Sequence, residues 1–336
     1  MAIDHSNMRL GKRPRRHDSR TLKLARYLTS TLPPAPSRVD YTRGVTDWGM
    51  MLNDQLGCCT IAAAAHAVQA WTVNSGQEIT IPDSAVLGAY EKWCGYNPAD
   101  AATDQGGIEL DVLNNWRQQA FDGHGLDAYV AVDLEDRNSK LDTRNSAVLP
   151  RVSNDDFRIS AVATAIWLFG GAYIGVELPL TARNQDVWDV PANPGPDDEP
   201  GSWGGHAVYL VAYDFRNSGL GPRVSGFGKE DSESPIPNSG PRTLSPGTRT
   251  PSPGTRVPNS ESRIRELEPR VPSPEPPTLT CITWGQLKKM TWAWFHEYCS
   301  EAYALVSKDW LCATGEAPSG FDLATLEQDL KAVTCP

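Results

Sequence analysis

The chain has 336 residues, of which 40% are hydrophobic, and a formal net charge of −10 at pH 7. This acidic balance argues against a nucleic-acid partner, because a duplex-binding protein needs a basic face that displaces counterions. No segment is long and apolar enough to span a membrane and no secretory signal is visible, so we expect a soluble, cytoplasmic protein. The seven cysteines form no CxxC pair, and the sequence predicts neither a metal nor a cofactor.

The first 40 residues are predicted to be a basic N-terminal tail that contains one short helix. The block "RLGKRPRR", residues 9–16, has the composition of a solvated tail, and the alternative is contact with an acidic partner. An amphipathic pattern over residues 19–30 predicts the helix. The segment "LPPAPS" ends it, because its prolines lack the amide donor that a helix requires.

The region from residue 41 to residue 214 carries helical patterns first and a mixture of helices and strands later. An alanine-rich run over residues 59–73 predicts a buried helix, because alanine has the highest helix propensity. Further helices are predicted over residues 83–93, 110–121 and 155–170. Alternating apolar residues predict strands over residues 126–134, 171–180 and 206–214.

Residues 215–277 differ in composition from the rest of the chain. They are rich in proline, serine and glycine, and the short segment "SPGTR" occurs twice, at Ser245 and Ser252. So few apolar residues cannot offset the entropy of ordering a chain, which predicts a disordered and dispensable insertion. Without it, residues 41–214 and 278–336 form one domain with a strand-rich second half and a last helix that starts at the N-cap Asp322.

The segment "NDQLGCCTIAAAAHAVQAW" carries the candidate nucleophile. Cys59 stands at the predicted start of the alanine-rich helix, where unpaired amides and the helix dipole favour a thiolate. Gly57 just before it allows a close approach. Cys58 would point about 100° away on the same helix and is predicted to be a packed thiol. The alternative for Cys59 is likewise a small buried thiol in a core helix.

A nucleophilic thiol needs an imidazole beside it, and His206 is the best placed of the six histidines. It opens the predicted strand after two glycines, where its side chain can face a cleft. His66 lies seven residues after Cys59, about two helical turns away and out of hydrogen-bond reach, and is predicted to be a core histidine. The others lie in the tail, in a glycine-rich turn or in a tryptophan-rich helical pattern: His5, His17, His124 and His296.

Together these segments resemble the papain-like cysteine peptidase superfamily. "NDQLGCCTIAA", "GGHAVYLVAYD" and "ITWG" follow its order of cysteine, histidine and third residue, and the similarity extends to the peptidase domains of bacteriocin exporters. The resemblance implies an α+β fold in which a helical lobe carrying Cys59 packs against an antiparallel sheet lobe carrying His206, with a cleft between them. It also implies an oxyanion donor at Asn53, six residues before Cys59, with Gln55 as the fallback.

The sequence departs from the superfamily at two positions. Cys58 stands where the exporter peptidases commonly carry an acidic residue. Ile282 stands where the superfamily has the asparagine that orients the imidazole. The adjacent hydroxyl of Thr283 is therefore the predicted third component, and Trp284 is predicted to shield His206.

The residues and the resemblance predict a cysteine peptidase or amidase that works by thiol acyl transfer on a peptide or protein substrate. In this hypothesis His206 takes the proton of Cys59, and the Cys59 amide and Asn53 hold the oxyanion. Two alternatives stay open: an inactive binding module on the same scaffold, and an acyltransferase of the transglutaminase-like type. The sequence does not indicate the substrate or the oligomeric state.

Overall fold

A computed structural model of the chain describes residues 8–134, 154–216, 276–314 and 319–334. The helices are α1 (Cys59–Asn74), α2 (Asp83–Cys94), α3 (Glu109–Gln118), α4 (Asn154–Phe169), α5 (Trp292–Tyr298), α6 (Lys308–Thr314) and α7 (Leu323–Thr334). The strands are β1 (Arg38–Asp40), β2 (Ala128–Ala131), β3 (Ala172–Leu178), β4 (Val187–Trp188), β5 (Gly204–Asp214), β6 (Thr278–Thr283), β7 (Gln286–Thr291) and β8 (Cys299–Val306). Helices dominate the first half of the chain and strands the second.

Within the described ranges the strands form one eight-stranded sheet in the order β2-β8-β3-β5-β6-β7-β4, and β1 pairs with β5 outside this path. The pairs are antiparallel except for β4 and β7, which run parallel. β5 is the longest strand and lies near the centre. Its side chains alternate between two apolar clusters, so that Ala207 and Tyr209 pack on the side of α1 while Val208 and Leu210 pack on the opposite side.

The start of α1 is fixed against β5 by burial of all but the last two residues of the helix. Every residue from Cys59 to Thr72 is buried, and its alanines let the helix approach the sheet closely. Near the other end, the Trp71 indole donates to the carbonyl of Phe169 at 3.0 Å. The helix therefore cannot rotate without disturbing the core on which the sheet also depends.

The predicted helix over residues 19–30 is wrong, whereas the other predicted helices and strands occur within a few residues of their expected bounds. Only a short 3₁₀ helix, Leu24–Arg26, forms there. On either side of it, Lys23 forms a β-bridge with Ala131 and Leu28 forms one with Phe321, so pairing with the rest of the fold overrides the helical pattern. At the last helix, the Asp322 carboxylate accepts the Thr325 amide at 3.0 Å, as expected of an N-cap.

The predicted insertion over residues 215–277 lies almost wholly outside the described residues, and the domain boundaries drawn around it remain predictions. Among the helices that the structure describes, none combines the length and apolarity needed to cross a membrane.

Candidate active site

Cys59 is the first residue of α1, and Cys58 is the N-cap. The turn before the helix is held by Asp104, whose carboxylate accepts the Gly57 amide at 3.0 Å and the Tyr90 hydroxyl at 2.6 Å. As a residue of the first helical turn, Cys59 has a backbone amide without a partner inside the helix. The local fold thus presents a thiol together with a backbone amide that makes no hydrogen bond within the helix.

The two adjacent thiols have different surroundings, although both are fully buried. The Cys58 thiol donates to the carbonyl of Met51, in the loop before the helix, at 3.4 Å. The Cys59 sulfur accepts the amide of Ala207 at 3.4 Å, and Ala207 is the residue after His206 in β5. Only Cys59 therefore has its sulfur on the strand that carries the histidine.

His206 is held from two sides within the buried part of the cleft. Its Nε2 lies 2.7 Å from the Thr283 Oγ1, and its ring stacks on the Trp284 indole with centroids 4.1 Å apart. Its Nδ1 is buried and has no hydrogen-bond partner among the residues that the structure describes. The ring is thus oriented through Nε2, and Nδ1 remains available for another group.

Thr283 and Ile282 point to different environments because they are consecutive residues of β6. Ile282 is fully buried in the apolar cluster around α1. Thr283 places its hydroxyl at His206 instead. The replacement of an orienting asparagine by isoleucine at position 282 thus leaves a polar partner for the imidazole one residue further along. The catalytic role of Thr283 is a prediction that these contacts do not test.

Asn53 lies in the tight loop before α1 and is 2% exposed. Its side-chain amide donates to the carbonyls of Leu56 and Arg9, both at 3.1 Å. The first bond is internal to the loop, and the second is made to a segment that covers the cleft. Gln55, the fallback donor, is exposed.

Residues 8–13, which we call the strap, cross the cleft between the helices and the sheet. Their backbone makes hydrogen bonds with both walls. These are Arg9 N to Asn53 O at 3.1 Å, Lys12 N to Gly205 O at 3.1 Å, Arg13 N to Gly107 O at 2.9 Å and Gly107 N to Gly11 O at 2.8 Å. The Arg9 carbonyl also accepts the Trp284 indole N–H at 3.2 Å. The strap is therefore bound in the manner of an extended peptide in a cleft.

The backbone of the strap packs directly against the backbone of the cleft wall. This close approach requires glycine both in the strap and in the wall. A Cβ on Gly11 would overlap the carbonyl of Gly57, and a Cβ on Gly106 would overlap the carbonyl of Gly11. The Gly11 amide also lies near the Cys59 thiol and lowers its pKa. The predicted solvated tail is thus wrong for the strap backbone and for Lys12, which is 6% exposed, whereas the Arg9 and Arg13 side chains are exposed as predicted.

Covering the site changes the protonation of both candidate catalytic groups. Burial raises the pKa of Cys59 to about 12, although hydrogen bonds from the amides of Ala207 and Gly11 lower it. Burial, with a smaller contribution from His66, lowers the pKa of His206 to about 3. The sequence predicted a thiolate at the helix start. Under the strap the thiol is protonated and the imidazole neutral, because both ions would be desolvated.

His66 is a core histidine, as predicted, and it sits between two carbonyls. Its Nε2 lies 3.1 Å from the carbonyls of both Trp48 and Gly49, so this nitrogen carries the proton and donates. Burial lowers the pKa of His66 to about 4. Between that value and its ordinary pKa of about 6.5, the unfolded chain binds a proton that the folded chain does not. The free energy of unfolding is therefore unaffected by His66 titration above about pH 6.5, and it decreases as the pH falls below that value.

We expect His66→Gln to make the protein less sensitive to acid, because glutamine keeps an N–H donor but does not titrate. Between pH 7.5 and pH 4.5 the free energy of unfolding should fall by about 2 to 3 kcal/mol more in the wild type than in the variant. Urea unfolding at both pH values measures the difference. Equal losses in the two proteins would show that His66 is not the titrating group.

Sequence reasoning missed the strap and the acidic side chains that it touches. Lys12 lies beside Glu177 and Glu301, which are far apart in the chain and carry no motif. One local indication of this cluster is present in the sequence. Glu109 stands between apolar residues in "GIELDVL", at the start of a helix, and is buried.

No protein-family model matches the chain, and no curated protein matches it. Among solved structures, the chain is similar to xylellain, a cysteine protease from Xylella fastidiosa, with 11% identity and a TM-score of 0.50 over 89% of this chain and 96% of that one. It also matches a structure from a study of antibody cross-reactivity between the mite allergens Blo t 1 and Der p 1. That match has 12% identity and a TM-score of 0.38 over 89% of this chain and 76% of that one.

Similarity at this level of identity concerns the fold and not the activity. The chain has the papain-like α+β fold, with Cys59 at the start of the first long helix and His206 in a central strand of the sheet.

Proposed function

We propose that the protein is a latent cysteine peptidase with Cys59 as the nucleophile and His206 as the general base. One observation carries the proposal: the Cys59 sulfur bonds to the backbone next to His206, whose ring is oriented through Nε2 while Nδ1 stays unpaired among the described residues. A core histidine without a catalytic role would be expected to use both nitrogens, because an unsatisfied buried nitrogen costs about 1 to 3 kcal/mol.

The proposed reaction starts with transfer of the Cys59 thiol proton to Nδ1 of His206. The sulfur then attacks the carbonyl carbon of a peptide or protein substrate and forms a tetrahedral oxyanion. The Cys59 amide and the Asn53 side-chain amide are the two donors for that oxyanion. As the C–N bond breaks, His206 returns the proton to the leaving amine. Water then attacks the thioester, giving up a proton to His206, and releases the carboxylic acid and the thiol.

For Nδ1 to accept the proton, Nε2 must carry a hydrogen and donate it to the Thr283 hydroxyl oxygen. Thr283 thus takes the orienting role that an asparagine has in the superfamily. Being neutral, its hydroxyl fixes the tautomer without adding a charge to stabilise the imidazolium. Trp284 covers the ring and keeps water from competing for this bond.

Replacing Thr283 by valine is expected to lower kcat about fivefold with little change in KM, because valine keeps the shape and removes the acceptor, worth about 1 kcal/mol. Thr283→Ser keeps the hydroxyl and should retain most of the activity, which makes it the matched control. The measurement is steady-state peptide hydrolysis from pH 5 to pH 9, with each variant made in the Gly11→Ala background in which the strap is displaced. A uniform loss in both variants would show that position 283 acts through packing alone.

The substrate and the strap cannot occupy the cleft together. The Arg9 carbonyl accepts the Asn53 side-chain donor that the oxyanion would need, and Gly11 packs against Gly57, just before Cys59. Activity therefore requires that the strap leaves the cleft. The neutral thiol and neutral imidazole of the covered state agree with a stored, unreactive form.

The reaction class is tested by turnover of a peptide mixture in water enriched in ¹⁸O, with the strap displaced by the substitution Gly11→Ala. A peptidase incorporates one ¹⁸O atom into each new carboxyl group, and acid quenching traps the acyl group on Cys59. Transfer to an added primary amine without ¹⁸O incorporation would favour the acyltransferase. Neither an acyl-enzyme nor a product would favour the inactive binding module.

A further inference from the structure

The side chain of Lys12 leaves the strap and enters a pocket between α3, β3 and β8. Its side chain has no exposed surface, and Nζ lies 2.8 Å from Glu177 Oε1 and 3.3 Å from Glu301 Oε1. Glu109 completes the pocket beside Gly175: a Cβ added to this glycine would lie 2.7 Å from Glu109 Oε1 and would overlap the Lys12 side chain. Three acids from three elements thus surround one lysine.

This pocket holds more acid than Lys12 neutralises. Glu109 is fully buried, and neither of its carboxyl oxygens has a hydrogen-bond partner within the described residues. Burial, and then Glu301, raise the pKa of Glu109 well above its usual value. Burial disfavours the Lys12 ammonium too, but Glu109, Glu301 and Glu177 outweigh it and raise the pKa of Lys12. Buried acids without partners are costly, so the pocket favours a cation.

Neighbouring hydroxyls fix two of the carboxylates in place. The Tyr303 hydroxyl donates to Glu301 Oε2 at 2.8 Å, and the Ser300 hydroxyl donates to Glu177 Oε1 at 3.1 Å. Lys12 lies beside Oε1 of each carboxylate, and in Glu177 this is the same oxygen that accepts the Ser300 hydroxyl. Because Gly175 has no side chain, the pocket wall leaves room for an unbranched side chain as long as lysine.

The pocket also lies close to the nucleophile. Gly175 pairs with Ala207 on β5 and with Glu301 on β8, and the Ala207 amide bonds to the Cys59 sulfur. In the strap, Gly11 lies against Gly57, two residues before Cys59, and the next residue fills the pocket. A peptide that crosses Cys59 in an extended form therefore places a side chain in the pocket one or two residues from the bond at the sulfur.

A purely structural ion cluster would be expected to take its cations from the folded body. Here the ion-paired cation belongs to the strap, which has to leave the cleft before any substrate enters. Arg15, which follows in the same N-terminal segment, also lowers the pKa of Glu109. When the segment leaves, Glu177 and Glu301 lose the cation with which they pair.

We propose that the pocket built by Glu109, Glu177 and Glu301 selects a lysine or arginine side chain of the substrate, one or two residues from the scissile bond. Lys12 of the strap occupies the same pocket in the covered state. This inference rests on the proposed peptidase function and names the class of peptide on which it acts.

The first test uses the Gly11→Ala protein and measures its turnover of a series of fluorogenic peptides. At each position around the scissile bond in turn, the peptides carry lysine, arginine, norleucine or glutamate and are otherwise identical. At one position the basic peptides should exceed the norleucine peptide at least tenfold in kcat/KM. Glu301→Gln should reduce that ratio at least fivefold. Glu297→Gln, which removes a charge from an exposed position of α5, should leave it unchanged. Equal turnover of basic and norleucine peptides would overturn the pocket while leaving the peptidase in place.

The second test needs no turnover and measures how well the same peptides slow alkylation of Cys59 by iodoacetamide. The lysine peptide should protect Cys59 at tenfold lower concentration than the norleucine peptide, and Glu301→Gln should abolish the difference. Protection without any cleavage would reject the proposed function and keep the pocket. Equal protection by both peptides would reject the pocket.

The Lys12 variants test the same recognition without an added peptide. Lys12→Met, in the otherwise unchanged chain, should speed the alkylation of Cys59 by iodoacetamide, because the strap loses its ion pairs. Lys12→Arg keeps the charge and should leave the alkylation rate at the wild-type value.

Discussion

Replacing Gly11 by alanine is expected to raise the rate at which iodoacetamide alkylates Cys59 at pH 7 by about 5- to 150-fold. The added methyl group would overlap the Gly57 carbonyl, and overpacking of this kind costs about 1 to 3 kcal/mol. That cost falls only on the covered state, so it shifts the equilibrium towards the open cleft by the corresponding factor. Solvent then reaches Cys59, its pKa falls from about 12, and the thiolate fraction at pH 7 grows.

The rate is measured by mass spectrometry of the peptide that contains Cys59, at several pH values from 6 to 10. Gly88→Ala is the matched control, because a Cβ on Gly88 of α2 meets no atom within 4 Å. The Gly11→Ala curve should rise at lower pH than the wild-type curve, and the Gly88→Ala curve should coincide with the wild type. If Gly11→Ala labels at the wild-type rate, the strap does not control access to Cys59.

The parts of the site that sequence reasoning reached are those fixed by local structure. An alanine-rich helix has to start near Cys59, and alternation in β6 separates the directions of Ile282 and Thr283 whatever the rest of the fold does. The choice of His206 as the candidate base rested on its position after two glycines, at the start of a strand. Each of these positions needed only a few neighbouring residues to be interpreted.

The strap and its pocket could not be predicted in this way, because they depend on residues distant in the chain. A run of arginine and lysine has the composition of a solvated tail, and only the glycine-lined walls of the cleft make room for a buried backbone there. The lysine within that run is tolerated only because Glu177 and Glu301 come together on neighbouring strands. Composition does not carry such information.

The strap also explains why the expected thiolate is absent from the covered state. A helix start and a nearby imidazole favour the thiolate only when water or a substrate can solvate the resulting ion pair. Under the strap that solvation is gone, and burial dominates both pKa values. In the proposed mechanism access and chemical activation are therefore coupled, because displacing the strap would also favour ionisation of Cys59.

In the Gly11→Ala background, Cys59→Ala is expected to lower kcat/KM for peptide hydrolysis by about 10⁴-fold or more, because the nucleophile forms the covalent intermediate. Cys58→Ala should stay within about threefold of its parent. The two thiols are adjacent and fully buried, so both substitutions remove the same buried atom and cost similar stability. They differ in that the Cys59 sulfur bonds to Ala207, beside His206, whereas the Cys58 thiol donates to Met51.

The comparison is made from progress curves at matched enzyme concentration, with thermal unfolding of each variant to confirm that both are folded. Comparable loss in both variants would mean that the cysteine pair acts through packing. Full activity in Cys59→Ala would exclude it as the nucleophile and require another group. A loss confined to Cys59→Ala would assign the chemistry to Cys59, although Cys58 is also a fully buried cysteine at the start of the same helix. The two thiols differ in that only the Cys59 sulfur makes a hydrogen bond to β5, the strand that carries His206.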